Sequence, residues 1–155
     1  MKPSNIVKTL TIAAVTALAL GIAPKAKADD KGCSEATLKG TFAYTSTGFI
    51  VADAPPPIVG PSAEVGTQTF DGEGGVKFTF NSSQNGNTGP GTATGTYTVN
   101  DDCTGTFTWV TPVFTAHYSF VIDKNGDEFQ AICQDTGVVV TRFGRRQFRG
   151  GDWRR

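Results

Sequence analysis

The sequence predicts an all-β protein, a single antiparallel barrel of about eight strands with up-and-down connections; a two-sheet sandwich is the alternative. Three observations lead there. From Thr92 to Val140, large apolar residues alternate with small polar ones, the period of a strand with one buried face. Turn-forming residues separate these runs at short intervals: Asp101-Asp102-Cys103, Asn125-Gly126 and Thr136-Gly137. No segment after the N-terminal region carries a convincing helical pattern. Consecutive hairpins favour the barrel, because closure removes exposed strand edges. Eight strands leave an interior that side chains can fill or that can hold one small ligand.

The first 28 of the 155 residues stand apart from the fold. Lys2 and Lys8 precede a mostly apolar run from Thr9 to Ala23, and Ala26-Lys27-Ala28 is an A-x-A cleavage signal. Residues 1–28 are therefore read as a secretory signal peptide, and the protein as secreted or periplasmic. The apolar run is short for a membrane span, so the mature chain is expected to lack a transmembrane anchor. Asp30-Lys31-Gly32 before Cys33 does not suit a lipoprotein signal. Without the four lysines of this segment, ten basic residues face 14 acidic ones, a formal charge of −4. Residues 142–155 hold six arginines and one aspartate, so the body before them is strongly acidic, a poor surface for nucleic acid.

The barrel domain is expected to span residues 29–148. Ser34 caps a single helical turn over Cys33 to Thr37. Leu38 to Val51 is the first strand, with Leu38, Phe42 and Tyr44 on one face. Gly48 is expected to bend it and move the apolar face to Phe49 and Val51. Asp53 to Pro61, with Pro55-Pro56-Pro57, is an extended surface loop. Ala63 to Phe70 and a run beginning at Val76 form the next hairpin, around Asp71-Gly72-Glu73-Gly74-Gly75. Asn81 to Gly91 is polar and glycine-rich and reads as a flexible loop.

A three-residue loop at 101–103 sets Tyr97 opposite Phe107 and Trp109 opposite Gly95, where a ring can cover the missing side chain. Phe114, Ala116, Tyr118, Phe120 and Ile122 form one face of the following strand. A two-residue turn at Asn125-Gly126 then sets Lys124 opposite Asp127, Ile122 opposite Phe129, Phe120 opposite Ala131 and Tyr118 opposite Cys133. A one-residue slip would turn the whole apolar set outward. The last strand starts at Val138 and runs to about Phe148, leaving 149–155 as a basic flexible tail.

Three cysteines in an exported chain fit one disulfide and one spare thiol, and three pairings are open. Cys133 falls on an apolar strand face and reads as a small buried hydrophobe. Cys33 and Cys103 fall at strand ends or turns and are the preferred pair.

The run Cys33-Ser34-x-x-Thr37-Leu38-x-Gly40-Thr41-Phe42 is followed by Thr69-Phe70-Asp71-Gly72-x-Gly74. Farther on come Gly95-Thr96-Tyr97-Thr98-Val99-Asn100-x-Asp102-Cys103-Thr104-Gly105-Thr106 and Asp135-Thr136-Gly137-Val138-Val139, then Arg145-Arg146-Gln147. Together these resemble a group of small exported bacterial proteins, grouped loosely with the allene oxide cyclase-like β-barrels and largely uncharacterised. The resemblance implies the barrel and supports the Cys33–Cys103 pair. It carries over no catalytic residue, and a shared barrel does not imply a shared activity.

The chemistry-bearing residues are sparse. His117, the single histidine, has outward parity opposite Gln134 and reads as a surface residue. The Asp123-Lys124-Asn125-Gly126-Asp127-Glu128 run has alternating oxygens but explains itself as a hairpin. No cysteine–histidine spacing suits zinc, and no phosphate-binding glycine motif is present. No catalytic residue, metal ligand or cofactor is assigned, and an enzyme is ranked behind a binding protein. The aromatic set Tyr97, Phe107, Trp109, Tyr118, Phe120 and Phe129 is the candidate lining for a small apolar ligand. The alternative is a cyclase- or isomerase-like enzyme working by shape. The arginine-rich end offers a weaker third option, attraction to an acidic surface or partner.

Overall fold

The computed structural model describes residues 32–51, 59–123 and 125–148. Residues 1–31, which include the expected signal peptide, residues 52–58 of the expected proline loop, Lys124 and the expected tail from 149 onward lie outside the described residues. Within them, eight antiparallel strands close into an up-and-down barrel, each pairing with its neighbours in sequence and the last with the first. The strands are β1 (Gly40–Ile50), β2 (Gly60–Phe70), β3 (Gly75–Gln84), β4 (Asn87–Val99), β5 (Thr104–Val110), β6 (Thr115–Ile122), β7 (Glu128–Cys133) and β8 (Val138–Arg146). A 3-10 turn, Glu35–Leu38, precedes β1.

Period two decides which residues go inside. Phe42 and Tyr44 on β1, Val76, Phe78 and Phe80 on β3, and Ala116, Tyr118, Phe120 and Ile122 on β6 are buried. Rings meet edge-on or tilted across the interior, as for Phe70 on Tyr97 and Phe42 on Phe129; Phe107 and Tyr118 stack at 4.7 Å between centroids. Inward glycines make room for this packing. A Cβ on Gly105 or Gly144 would meet the ring of its directly paired neighbour, Phe120 or Phe129, at 2.4 and 2.2 Å. The rings of β6 and β7 thus lie over bare backbone on the adjoining strands.

One end of the barrel is stoppered. Leu38 is fully buried there, against the core. Arg146 holds the plug: its guanidinium donates to the carbonyls of Thr37 and Gly126 at 3.0 and 2.7 Å and to that of Lys39. The same group lies 4.5 Å from the Phe42 ring centroid. The disulfide joins Cys33 to Cys103 across 70 residues and ties this plug to the β4–β5 loop. Cys133 is a buried free thiol.

Several expectations need correction. Leu38 belongs to the plug and not to the first strand. β1 keeps one parity throughout: Ile50 is buried, whereas Phe49 is 46% and Val51 52% exposed. Gly48 accommodates a close approach to the Val139 carbonyl without shifting the face. The proline loop ends earlier than expected, since β2 starts at Gly60 and Pro61 already pairs with Phe49. Residues 81–91 are not a flexible loop: β3 and β4 continue through them to a two-residue turn at Asn85-Gly86, both at positive φ, with Gln84 opposite Asn87. Long polar strands here extend the wall beyond the packed core, so alternation was masked by serines and glycines.

The register of β6 and β7 is as expected for Ile122, Phe120 and Tyr118, but the turn is longer. Asp123 N–H donates to the Glu128 carbonyl, so four residues, 124–127, span the loop. The Asp123 carboxylate accepts from the N–H groups of Asp127 and Glu128, which stabilises that wider loop. The expected Lys124–Asp127 pair involves a residue outside those described. On β4 and β5, Tyr97 does face Phe107. The ladder is interrupted between Thr94–Val110 and Tyr97–Phe107, because Thr96 N–H donates to the Thr108 side chain at 3.0 Å. Trp109 packs between Phe80 and Phe114.

Candidate functional site

The half of the barrel away from the plug holds a cavity of about 500 Å³. Its position follows from side-chain size. In the plugged half, rings from several strands converge; toward the other strand ends, inward positions fall on Ser46, Ser62, Ser82 and Gln84, too small or too polar to fill the interior. The apolar wall is Ile50, Phe80, Trp109, Phe114, Ala116, Val138 and Val140. Glu64, Tyr118 and Arg142 also line it. Its volume lies within the usual range for small-molecule sites. A second concavity, about 820 Å³, is a groove on the outer wall among residues such as Thr45, Thr47, Val121, Ile132 and Phe143.

Arg142 defines the chemistry of the cavity. It has the parity of Val140 and Gly144 on β8, so its side chain enters the barrel and is almost wholly buried. The guanidinium meets the Glu64 carboxylate at 3.0 Å and the Gln68 side-chain oxygen at 3.5 Å. It sits 4.2 Å from the Tyr44 ring centroid and 4.9 Å from that of Tyr118, with Phe78 and Phe107 farther out. Tyr44 in turn donates its hydroxyl to Glu64. Burial pushes the Glu64 carboxyl up; Arg142 and the Tyr44 hydrogen bond act against that push. Burial likewise raises the Tyr44 phenol and pushes Tyr118 up to about 12, so both stay neutral. This network separates the packed aromatic half from the cavity.

The polar network is incomplete. Among the buried side-chain atoms of the described residues, Nε of Arg142, Nε1 of Trp109, Nε2 of Gln68 and Oε1 of Gln84 have no hydrogen-bond partner. Such orphaned groups are uncommon in native interiors and cost stability.

Of the six rings expected to line a pocket, Trp109 and Tyr118 do line this cavity. Tyr97 lies at the plugged end, where its hydroxyl donates to the Glu35 carbonyl at 2.9 Å and accepts from Gly72 N–H. Phe107, Phe120 and Phe129 belong to the packed cluster. His117 is on the outside, 60% exposed, 2.8 Å from Asp135. Burial raises Asp135, but hydrogen bonds from His117 and Cys133 outweigh it and leave the carboxyl below its ordinary range.

Arg142 and Glu64 were not singled out from sequence. Grouping Arg142 with the terminal arginines treated it as part of an exposed basic run. Its parity with Val140, and that of Glu64 with Gln68 and Phe70, was the available signal.

No helix among the described residues is long and apolar enough to cross a membrane. No family model matches the chain, and no curated protein matches it. Among solved structures it is similar to the S-type phycobiliprotein lyase CPES from Guillardia theta, with 9% identity and a TM-score of 0.45, over 77% of this chain and 96% of that one.

Proposed function

We propose that this chain is an exported barrel that binds one small, mainly apolar molecule in the cavity between Trp109, Phe114, Val138 and Arg142. The observation that carries this reading is the cavity of about 500 Å³ on a barrel otherwise closed by a plug. A stoppered barrel with one hollow half is the geometry of a container. The disulfide supports life in an oxidising compartment, as the signal segment also does.

Trp109 reports on occupancy. With Trp153→Phe removing the other tryptophan, brominated alkanes and bromonaphthalene are expected to quench Trp109 emission saturably. Absence of saturable quenching across an apolar panel overturns ligand binding.

A second reading is a cyclase- or isomerase-like enzyme, in keeping with the allene oxide cyclase-like resemblance. The polar set of Glu64, Tyr44 and Arg142 beside an apolar wall favours it, because such a site could hold a reactive molecule in one conformation. Extraction of a bound reactive ligand decides between the two: recovery unchanged supports binding alone, and recovery as a single rearranged product supports the enzyme.

A further inference from the structure

Which molecule the cavity takes can be narrowed by charge and by unmet hydrogen bonds; this step rests on the cavity being a ligand site. Charge is already balanced at its inner end. Arg142 and Glu64 neutralise each other at 3.0 Å, both side chains more than nine-tenths buried. The further carboxylate among the lining residues, Asp135, is held by His117. An anionic ligand would add charge beside Glu64 and Asp135, and would have to draw Arg142 from a partner it already has. A cationic ligand would meet the buried guanidinium. Both lose hydration on entering, with no free counter-charge among the described lining residues to replace it.

Hydrogen bonding adds a direction. Two side chains lining the cavity carry a buried N–H that donates to nothing: Nε of Arg142 and Nε1 of Trp109. Neither group can act as an acceptor, so the deficit is not one that exchanging nitrogen and oxygen could remove, as it can for an amide. Gln68 adds a third unpartnered donor, because its oxygen already faces Arg142. The remaining orphan, Oε1 of Gln84, belongs to an amide whose Nε2 donates to Ser62, and an amide can be turned. The surplus is therefore of donors, beside an aromatic and aliphatic wall.

We infer that the cavity takes an uncharged, apolar molecule bearing a carbonyl oxygen, which accepts from the N–H groups that Trp109 and Arg142 leave unpartnered. Ketones, aldehydes and esters share this chemistry: one strong acceptor, no donor and no charge.

Three probes of nearly one shape test it by titration calorimetry on the mature, oxidised protein. They are 2-acetylnaphthalene, 2-ethylnaphthalene and 2-naphthoate, which offer a neutral carbonyl, no oxygen and a carboxylate. The ketone is expected to bind at least about fivefold tighter than the hydrocarbon, the worth of one net hydrogen bond, and tighter than the carboxylate. Trp109→Phe keeps a ring but removes a donor, and should reduce the ketone's advantage while the hydrocarbon still binds. Equal binding of ketone and hydrocarbon overturns the carbonyl assignment and leaves the container reading standing. Tightest binding by 2-naphthoate overturns it in favour of an acid-binding site. Absence of binding by all three overturns both readings together. The comparison of probes on the unaltered protein decides the matter even if the Trp109 variant does not fold.

Discussion

Arg142 shows how much one residue can depend on its partners. A buried ion pair contributes little compared with an apolar replacement of both members, but removing one member strands the other. Arg142→Met is expected to cost about 3–5 kcal/mol, and Arg142→Met with Glu64→Met to recover most of it. Urea midpoints of the two variants check this. The pH dependence separates them further. Burial raises the Glu64 carboxyl in the folded protein, and Arg142 opposes that rise. Without Arg142 the folded-state value climbs further above the unfolded one. The folded state then holds the proton more tightly than the unfolded chain, so stability falls as pH rises between the two values and is regained on acidification. Arg142→Met should thus gain stability from pH 7 to pH 5, a gain absent when Glu64 is also replaced. Identical pH profiles would show that Glu64 is not the responsible group.

At the scale of elements, hairpins supply most of the order and the plug ties their ends. The three-residue loop between β4 and β5 places Cys103 at φ 66°, a conformation usually left to glycine or asparagine. From there its sulfur reaches Cys33, ahead of the 3-10 turn. The disulfide closes a span of 70 residues, for which chain entropy gives about 4 kcal/mol as an upper figure. Cys33→Ser with Cys103→Ser should lower the urea midpoint by an amount corresponding to about 2–4 kcal/mol. A much smaller loss would mean that Arg146, through its three carbonyls, already holds the plug by itself. Cys133 offers a control: it lies outside the bridge, and Cys133→Ala should leave the disulfide and most of the stability intact.

For the molecule as a whole, the division into a packed half and a hollow half is decisive. Ala116 lines the hollow half and is buried. Ala116→Trp places a large ring there and is expected to abolish probe binding while the β-type circular dichroism and the disulfide persist. Retained binding at full affinity would locate the ligand site elsewhere, the outer groove being the next place to look. The barrel itself was legible from Phe114 to Cys133, where turn residues and alternation agree on one register. The wall from Asn81 to Gly91 was not: its inward positions are small and polar, so the pattern that marks a half-buried strand is faint. The cavity was illegible for the same reason, since small inward residues create it.

What the sequence by itself determined is the all-β character, the order of the strands and the faces of the aromatic-rich ones. These follow from interactions between near neighbours: period two, turn residues and the length of each loop. The tertiary structure alone decided that Arg142 meets Glu64, that Leu38 and Arg146 stop one end, and that a cavity remains among the described residues of the other half. Those outcomes depend on pairing β8 with β1 and on summing side-chain volumes around the closed wall. Residues far apart in the chain set both, and local pattern does not record either.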